Sequence, residues 1–220
     1  MYNLKCFINI IQRRIVVFNP IVISGPSGVG KDTLIKFIKK DFPNIREAVG
    51  YTTRSIREGE VAGEDLNFVD KDDFLNLIKN DQLIEYATFN NEYYGMGKNE
   101  LEQAKSKLTI FNIGISAAHI IKNLVPKTIT ILLLPPSYDE LVKRLGDRGL
   151  TRLRNIEKDL QYAATFFDYC LISETDKVGN VVNNFFDILN GNNEKFKIEN
   201  FSSQINNIIR ESKEDMEPII

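Results

Sequence analysis

The sequence lacks tryptophan altogether, and it holds one histidine, His119, and two cysteines, Cys6 and Cys170. Two widely separated cysteines form neither a disulfide framework nor a metal-ligand set, so a reducing compartment, the cytoplasm, is expected. A single histidine in a helical pattern after Ser116-Ala117-Ala118 reads as a packed or solvated residue rather than an acid–base centre. No apolar run approaches the roughly 18 residues that a membrane span needs. Charge of one sign is also lacking: 28 basic against 30 acidic side chains leave a net charge of −2. No global positive field points to a nucleic-acid partner, and any anion must be bound locally.

What is present suits one globular domain with insertions. The 220 residues are 43% apolar and 26% charged, enough to bury a substantial core. Residues 1–19 are read as an N-terminal extension. The stretch from Met1 to Pro20 carries Lys5, Arg13 and Arg14 and no acidic residue. It lacks the small-residue cleavage site of a secretory signal; an organellar transit peptide fits its basic pattern but not its serine content.

Ile21-Val22-Ile23-Ser24 is a β-branched run ending at glycine, the pattern of a buried parallel strand. Helical spacing follows from Thr33 to Lys40. Further strands are predicted at Leu108–Ile113, Thr128–Leu134 and Tyr169–Ile172, with helices at Asp139–Leu145, from Ile156, and at Val181–Leu189. Strands alternating with helices imply an α/β fold with a parallel β-sheet flanked by helices. The core is assigned to 20–49, 98–143 and 165–190. Residues 50–97, with turn signals at Glu58-Gly59 and Ala62-Gly63 and a helical stretch from Asp72 to Asn80, read as an insertion. Residues 144–164, with Arg144, Arg148, Arg152 and Arg154, read as a short lid. Residues 191–220 read as a polar tail, in which Phe201, Ile205, Ile208 and Ile209 can still form one amphipathic helix.

Between the first strand and its helix lies Gly25-Pro26-Ser27-Gly28-Val29-Gly30-Lys31-Asp32-Thr33, a P-loop of the NTPase type. Glycines let backbone N–H groups turn inward around phosphate oxygens, and the helix N-terminus adds partial positive charge. Lys31 reaches the β and γ oxygens of ATP. The hydroxyl expected directly after the lysine to meet Mg²⁺ comes one residue late, at Thr33. Asp32 intervenes, either as a solvated first-turn acid or as a second metal-holding group.

The insertion carries Thr52-Thr53-Arg54-Ser55-Ile56-Arg57-Glu58-Gly59-Glu60-Val61-Ala62-Gly63-Glu64-Asp65, then Leu83-Ile84-Glu85-Tyr86-Ala87 and Tyr93-Tyr94-Gly95. With Leu134-Pro135-Pro136-Ser137 and Arg144-Leu145 before Arg148-Gly149, the stretch from about 20 to 190 resembles the guanylate kinase family. The resemblance implies transfer of the γ-phosphoryl group of ATP to GMP or dGMP, with Mg²⁺ as cofactor. It implies that Arg54, Arg57 and Tyr94 hold the acceptor phosphate, that Glu85 accepts hydrogen bonds from guanine, and that Lys31, Arg144 and Arg148 neutralise charge in transfer. Paired arginines make bidentate contacts to a dianion, and a carboxylate suits the N1–H and N2–H₂ donors of guanine.

Several positions depart from the family pattern. Gly50 stands for a serine, Leu66 for a tyrosine, Met96 for a serine or threonine, Asn112-Ile113-Gly114 for an acidic strand end, and Asp159 for a lid arginine that Arg152 or Arg154 can replace. A weaker resemblance to ribose 1,5-bisphosphate phosphokinase rests on Gly30-Lys31-Asp32 and Tyr93-Tyr94-Gly95. Two alternatives to guanylate transfer therefore stand: a kinase for another nucleoside monophosphate or ribose 1,5-bisphosphate, and a binding module with weakened catalysis.

Overall fold

A computed structural model describes residues 19–89, 91–146, 153 and 155–216. Strand β1 (Ile21–Ser24) is wholly buried and lies at the centre of a five-stranded parallel sheet. Its companions are β2 (Arg46–Glu47), β7 (Thr109–Asn112), β8 (Ile129–Leu134) and β9 (Tyr169–Ile172), in the order β2-β7-β1-β8-β9. The β-branched and leucine-rich central strands suit a sheet covered on both faces. Helices α1 (Lys31–Asp41), α4 (Ile115–Leu124), α5 (Tyr138–Leu145), α6 (Ile156–Ala163) and α7 (Val178–Leu189) provide the cover. Among them α1 leans on α7, where the rings of Phe42 and Phe186 lie 3.8 Å apart.

A second sheet of four strands forms between Gly50 and Gly97, in the order β4-β3-β6-β5. It consists of β3 (Gly50–Thr52), β4 (Leu66–Phe68), β5 (Leu83–Phe89) and β6 (Glu92–Gly97). Helix α2 (Lys71–Lys79) is capped by the Asp70 carboxylate, which accepts from the Asp73 N–H. It sends the fully buried Phe74 beneath the sheet, where a Cβ on Gly95 would lie 3.1 Å from the Phe74 ring. Helix α3 (Lys98–Ala104) carries Glu100 back to the first sheet. Its buried carboxylate pairs with Arg46 at 2.6 Å and accepts from the Val49 N–H. That contact fixes where β3 departs from the core.

Residues 191–216 differ from the polar tail that composition suggests and follow the amphipathic helix that the isoleucine spacing predicts. Helix α8 (Ser202–Met216) buries Ile205, Ile208 and Ile209 and packs against α5 and α6. Glu211 accepts from the Tyr138 N–H at the start of α5, and Gln204 donates to the Pro136 carbonyl at 2.6 Å. The polar residues that lower the average hydropathy occupy the outer face, so an amphipathic packing helix is what the segment forms. The predicted lid begins inside α5, which contains Arg144 and Leu145. Arg148, Arg152, Arg154 and the N-terminal extension to residue 18 lie outside the described residues. Among the described residues no helix is long and apolar enough to cross a membrane.

Candidate active site

The chain leaves β1 through a loop that only glycine permits at two points. Gly25 has φ 150°, and a Cβ there would sit 2.2 Å from the Leu133 carbonyl oxygen. Gly28 has φ 79°, with the Leu145 side chain 2.6 Å from a Cβ. Val29 is buried beneath the loop, and Gly30 caps α1 without a side-chain acceptor. The first-turn N–H groups of α1 therefore await an external anion. The helix starts at Lys31, two residues earlier than its periodicity predicts, because the left-handed Gly30 allows so sharp an entry.

Lys31 folds over this loop, donating from Nζ to the carbonyls of Gly25 at 2.9 Å and Pro26 at 3.1 Å. Burial lowers its pKa to about 8, partly opposed by the charge of Asp32. Asp32 and Thr33 are exposed on the adjoining turn. Asp32 accepts from Asn112 Nδ2 at 2.7 Å, and the same amide lies 3.4 Å from Glu47. The replaced strand-end acid and the inserted Asp32 are thus in direct contact.

Across the cleft, Arg54 forms a two-pronged pair with Glu60, Nη1 to Oε2 at 2.7 Å and Nη2 to Oε1 at 2.6 Å. Its guanidinium lies 5.3 Å from the centre of the Phe68 ring. Glu60 also accepts from the Arg57 N–H, and the Arg54 hydrogen bonds hold its carboxyl at about 2, well below the usual range. Glu60 was not among the residues singled out from sequence; its place three after Arg57 inside the family-like segment was the available signal. Glu85 is half-buried on β5, and burial raises its pKa. Asp32, Thr33, Arg54, Arg57, Glu85 and Tyr94 all line one cavity of about 660 Å³ between the two sheets.

Arg144 is placed differently from a residue that closes over phosphates. Its guanidinium donates to the carbonyls of Val29 at 3.2 Å and Ser173 at 2.8 Å and to the Thr175 hydroxyl at 2.9 Å, and it pairs with Glu140 at 3.2 Å. It therefore braces the P-loop against the turn after β9, where Ser173 Oγ would lie 3.1 Å from a Cβ on Gly30. Asp159 sits on the exposed side of α6 and does not border the cavity.

A P-loop facing an arginine- and carboxylate-lined cavity can seat a phosphate donor and a phosphorylated acceptor together. Comparison with known proteins agrees in both sequence and shape. The guanylate kinase family model matches residues 17–191. Guanylate kinase of Desulfitobacterium hafniense is 39% identical over 160 residues, covering 72% of this chain and 79% of that protein. Guanylate kinase of Oceanobacillus iheyensis is 33% identical over 199 residues, covering 86% and 94%. The crystal structure of guanylate kinase from Anaplasma phagocytophilum superposes with a TM-score of 0.63 at 27% identity, covering 81% of this chain and 88% of that one. With the family model spanning residues 17–191 and relatives at this identity aligned over most of their length, the chain belongs to the guanylate kinase family.

Proposed function

We propose that the cavity between the two sheets is where this kinase transfers the γ-phosphoryl group of ATP to GMP or dGMP, giving ADP and the nucleoside diphosphate. The observation that carries the reading is the shared cavity: Thr33 and Asp32 from the donor side and Arg54, Arg57, Glu85 and Tyr94 from the acceptor side line it together. Phosphoryl transfer needs alignment and charge cancellation more than covalent help, and opposed anion sites supply both.

On the donor side the N–H groups from Gly25 to Thr33 cradle ATP, with Lys31 exchanging two carbonyl acceptors for β and γ oxygens. Arg144 acts as a positioning residue that holds Val29 and hence the loop. On the acceptor side Arg54, oriented by Glu60, joins Arg57 and Tyr94 on the phosphate, and Glu85 accepts from guanine N1–H and N2–H₂. Arg148 is assigned the lid charge by its position in the family-like segment. Small-molecule nucleotides are the partners, and the cytoplasm is the proposed compartment.

Thr33 and Asp32 are hard oxygen donors at the mouth of the P-loop, which suits Mg²⁺. No group of three or more acidic, histidine or cysteine side chains gathers among the described residues. Thr33 and Asp32 would hold Mg²⁺ there, and the ion would supply positive charge against the nucleotide phosphates. Asn112 keeps Asp32 pointed at that position. Asp32→Ala is expected to raise the Mg²⁺ concentration giving half-maximal rate about fivefold or more, read from initial rates across a Mg²⁺ series. An unchanged requirement contradicts the assignment.

Coupled ADP release with ATP, Mg²⁺ and GMP, dGMP, AMP, dTMP or ribose 1,5-bisphosphate tests the reaction. Turnover is expected on GMP and dGMP. Turnover confined to the other acceptors reassigns the substrate, and none on any acceptor leaves a binding module.

A further inference from the structure

Four residues run in one row across the second sheet, on one face of it. Leu66 of β4 is paired with Gly50 of β3. The pairing of Tyr51 with Gly95 and of Thr52 with Tyr94 puts Gly50 opposite Met96 of β6, and Met96 is paired with Glu85 of β5. Directly opposed residues share a face of the sheet, so the side chains of the row stand side by side. Contacts agree: a Cβ on Gly50 would lie 3.5 Å from Leu66 and 3.7 Å from the Met96 terminal methyl. All four residues border the cavity. Tyr51, next along β3, also borders the cavity, but its ring alternates to the opposite face of the sheet, 3.1 Å from a Cβ on Gly97.

In this row Glu85 is the one side chain with a hydrogen-bonding atom, and it can only accept when ionised. It suits N1–H and N2–H₂ of a 2-amino-6-oxopurine. The C6 oxygen on the same edge is itself an acceptor and finds no donor among Met96, Gly50 and Leu66. Gly50 cannot regain one cheaply, since its Cβ position is already 3.0 Å from the Gly95 carbonyl oxygen.

We propose that base recognition in this chain stops at the N1 and N2 donors and is indifferent to the atom at C6, so that purine monophosphates altered at C6 with N1–H retained are substrates. The inference rests on the acceptor-site reading above. A site that hydrogen-bonds an atom rejects analogues lacking it by large factors, because its own polar group is left unpaired. Here no protein group is left unpaired. A thiocarbonyl, a weaker acceptor than a carbonyl, also gives up less hydration on entering against Met96.

The test compares kcat/KM for GMP, 6-thio-GMP and IMP under saturating ATP and Mg²⁺. The expected result is 6-thio-GMP within threefold of GMP or better, with IMP, which lacks the N2 donors, at least tenfold below GMP. A preference for GMP over 6-thio-GMP beyond threefold overturns the inference while leaving GMP kinase activity intact. No turnover of GMP overturns the acceptor reading itself. Met96→Thr adds a hydroxyl donor to the row and is expected to raise the GMP to 6-thio-GMP ratio at least fivefold. A folded Met96→Thr protein with an unchanged ratio removes Met96 from the C6 position. Should that variant not fold, the comparison in the unaltered protein decides alone.

Discussion

Lys31→Met is expected to lower kcat/KM for ATP at least about a thousandfold, roughly 4 kcal/mol of transition-state stabilisation, while making the unliganded protein more stable. The loss follows from removing the one P-loop side-chain cation at the oxygens where charge develops. The gain follows from what the ammonium does without nucleotide, when it is half-buried against two backbone carbonyls and the Asp32 charge offsets its burial only in part. Its pKa of about 8, against an ordinary 10.5, means that folding disfavours the charged form. Below pH 8 both folded and unfolded chains carry the proton, and the cost of burying it is fully present. As pH rises from about 8 to 10.5 the folded chain releases the proton first, and the cost disappears. Methionine fills the same space without charge. After the two lost hydrogen bonds, a net gain of about 1 kcal/mol is expected at pH 7, shrinking toward pH 10. Thermal unfolding with and without ATP checks this: the variant melts higher alone, and saturating ATP raises only the unaltered protein. A lower apo Tm, or retained turnover, contradicts it.

Arg54→Ala is expected to cost about a thousandfold in kcat/KM for GMP, chiefly through KM, with KM for ATP within about threefold of its original value. The effect exceeds that of losing one phosphate contact because of Glu60. With Arg54 present, both carboxylate oxygens are occupied by its fork at 2.6 and 2.7 Å. Without it, a group that was held at about 2 remains ionised at neutral pH and faces the incoming dianion unpaired. The double variant Arg54→Ala with Glu60→Ala is therefore expected to recover about tenfold over the single one. Steady-state kinetics at fixed ATP measure both, and a double variant no better than the single one contradicts the role of Glu60. Arg57, whose side chain is exposed and does not form the fork on Glu60, is expected to cost less.

The parts of this molecule legible in the sequence are those fixed by local rules. The P-loop could be read because three positive-φ glycines, a β-branched strand and an amphipathic helix must occur in that order. Four of the five strands of the first sheet could be read because burial on both faces leaves uniform apolar runs, whereas β2, two charged residues at the sheet edge, could not. The residues that share the cavity could be named only through the family-like segment, since nothing in the spacing of Arg54, Glu85 and Asp32 brings them together. The register of the second sheet brings Arg54 and Glu85 to one side of the cavity, and the P-loop turn brings Asp32 to the other. Arg144 shows the same limit: its place in the chain suggests a lid, whereas its hydrogen bonds to Val29 and Ser173 tie it to loops distant in sequence. The helix α8 was legible in the spacing of Ile205, Ile208 and Ile209, but its docking on α5 and α6 was hidden by a composition in which polar neighbours on the outer face outnumber them.

That the donor and acceptor occupy one cleft is the claim on which the rest depends, and a ligand carrying both ends reads it out directly. Adenosine and guanosine joined through a pentaphosphate can engage the P-loop and the Arg54 side at once, and linked binding adds the effective concentration of the second site. Calorimetric titration is predicted to show one ligand per chain, with a Kd at least about a hundredfold below those of ATP and GMP, and both Lys31→Met and Arg54→Ala weakening it. A Kd no lower than that of ATP, or one that Arg54→Ala leaves unchanged, contradicts the account.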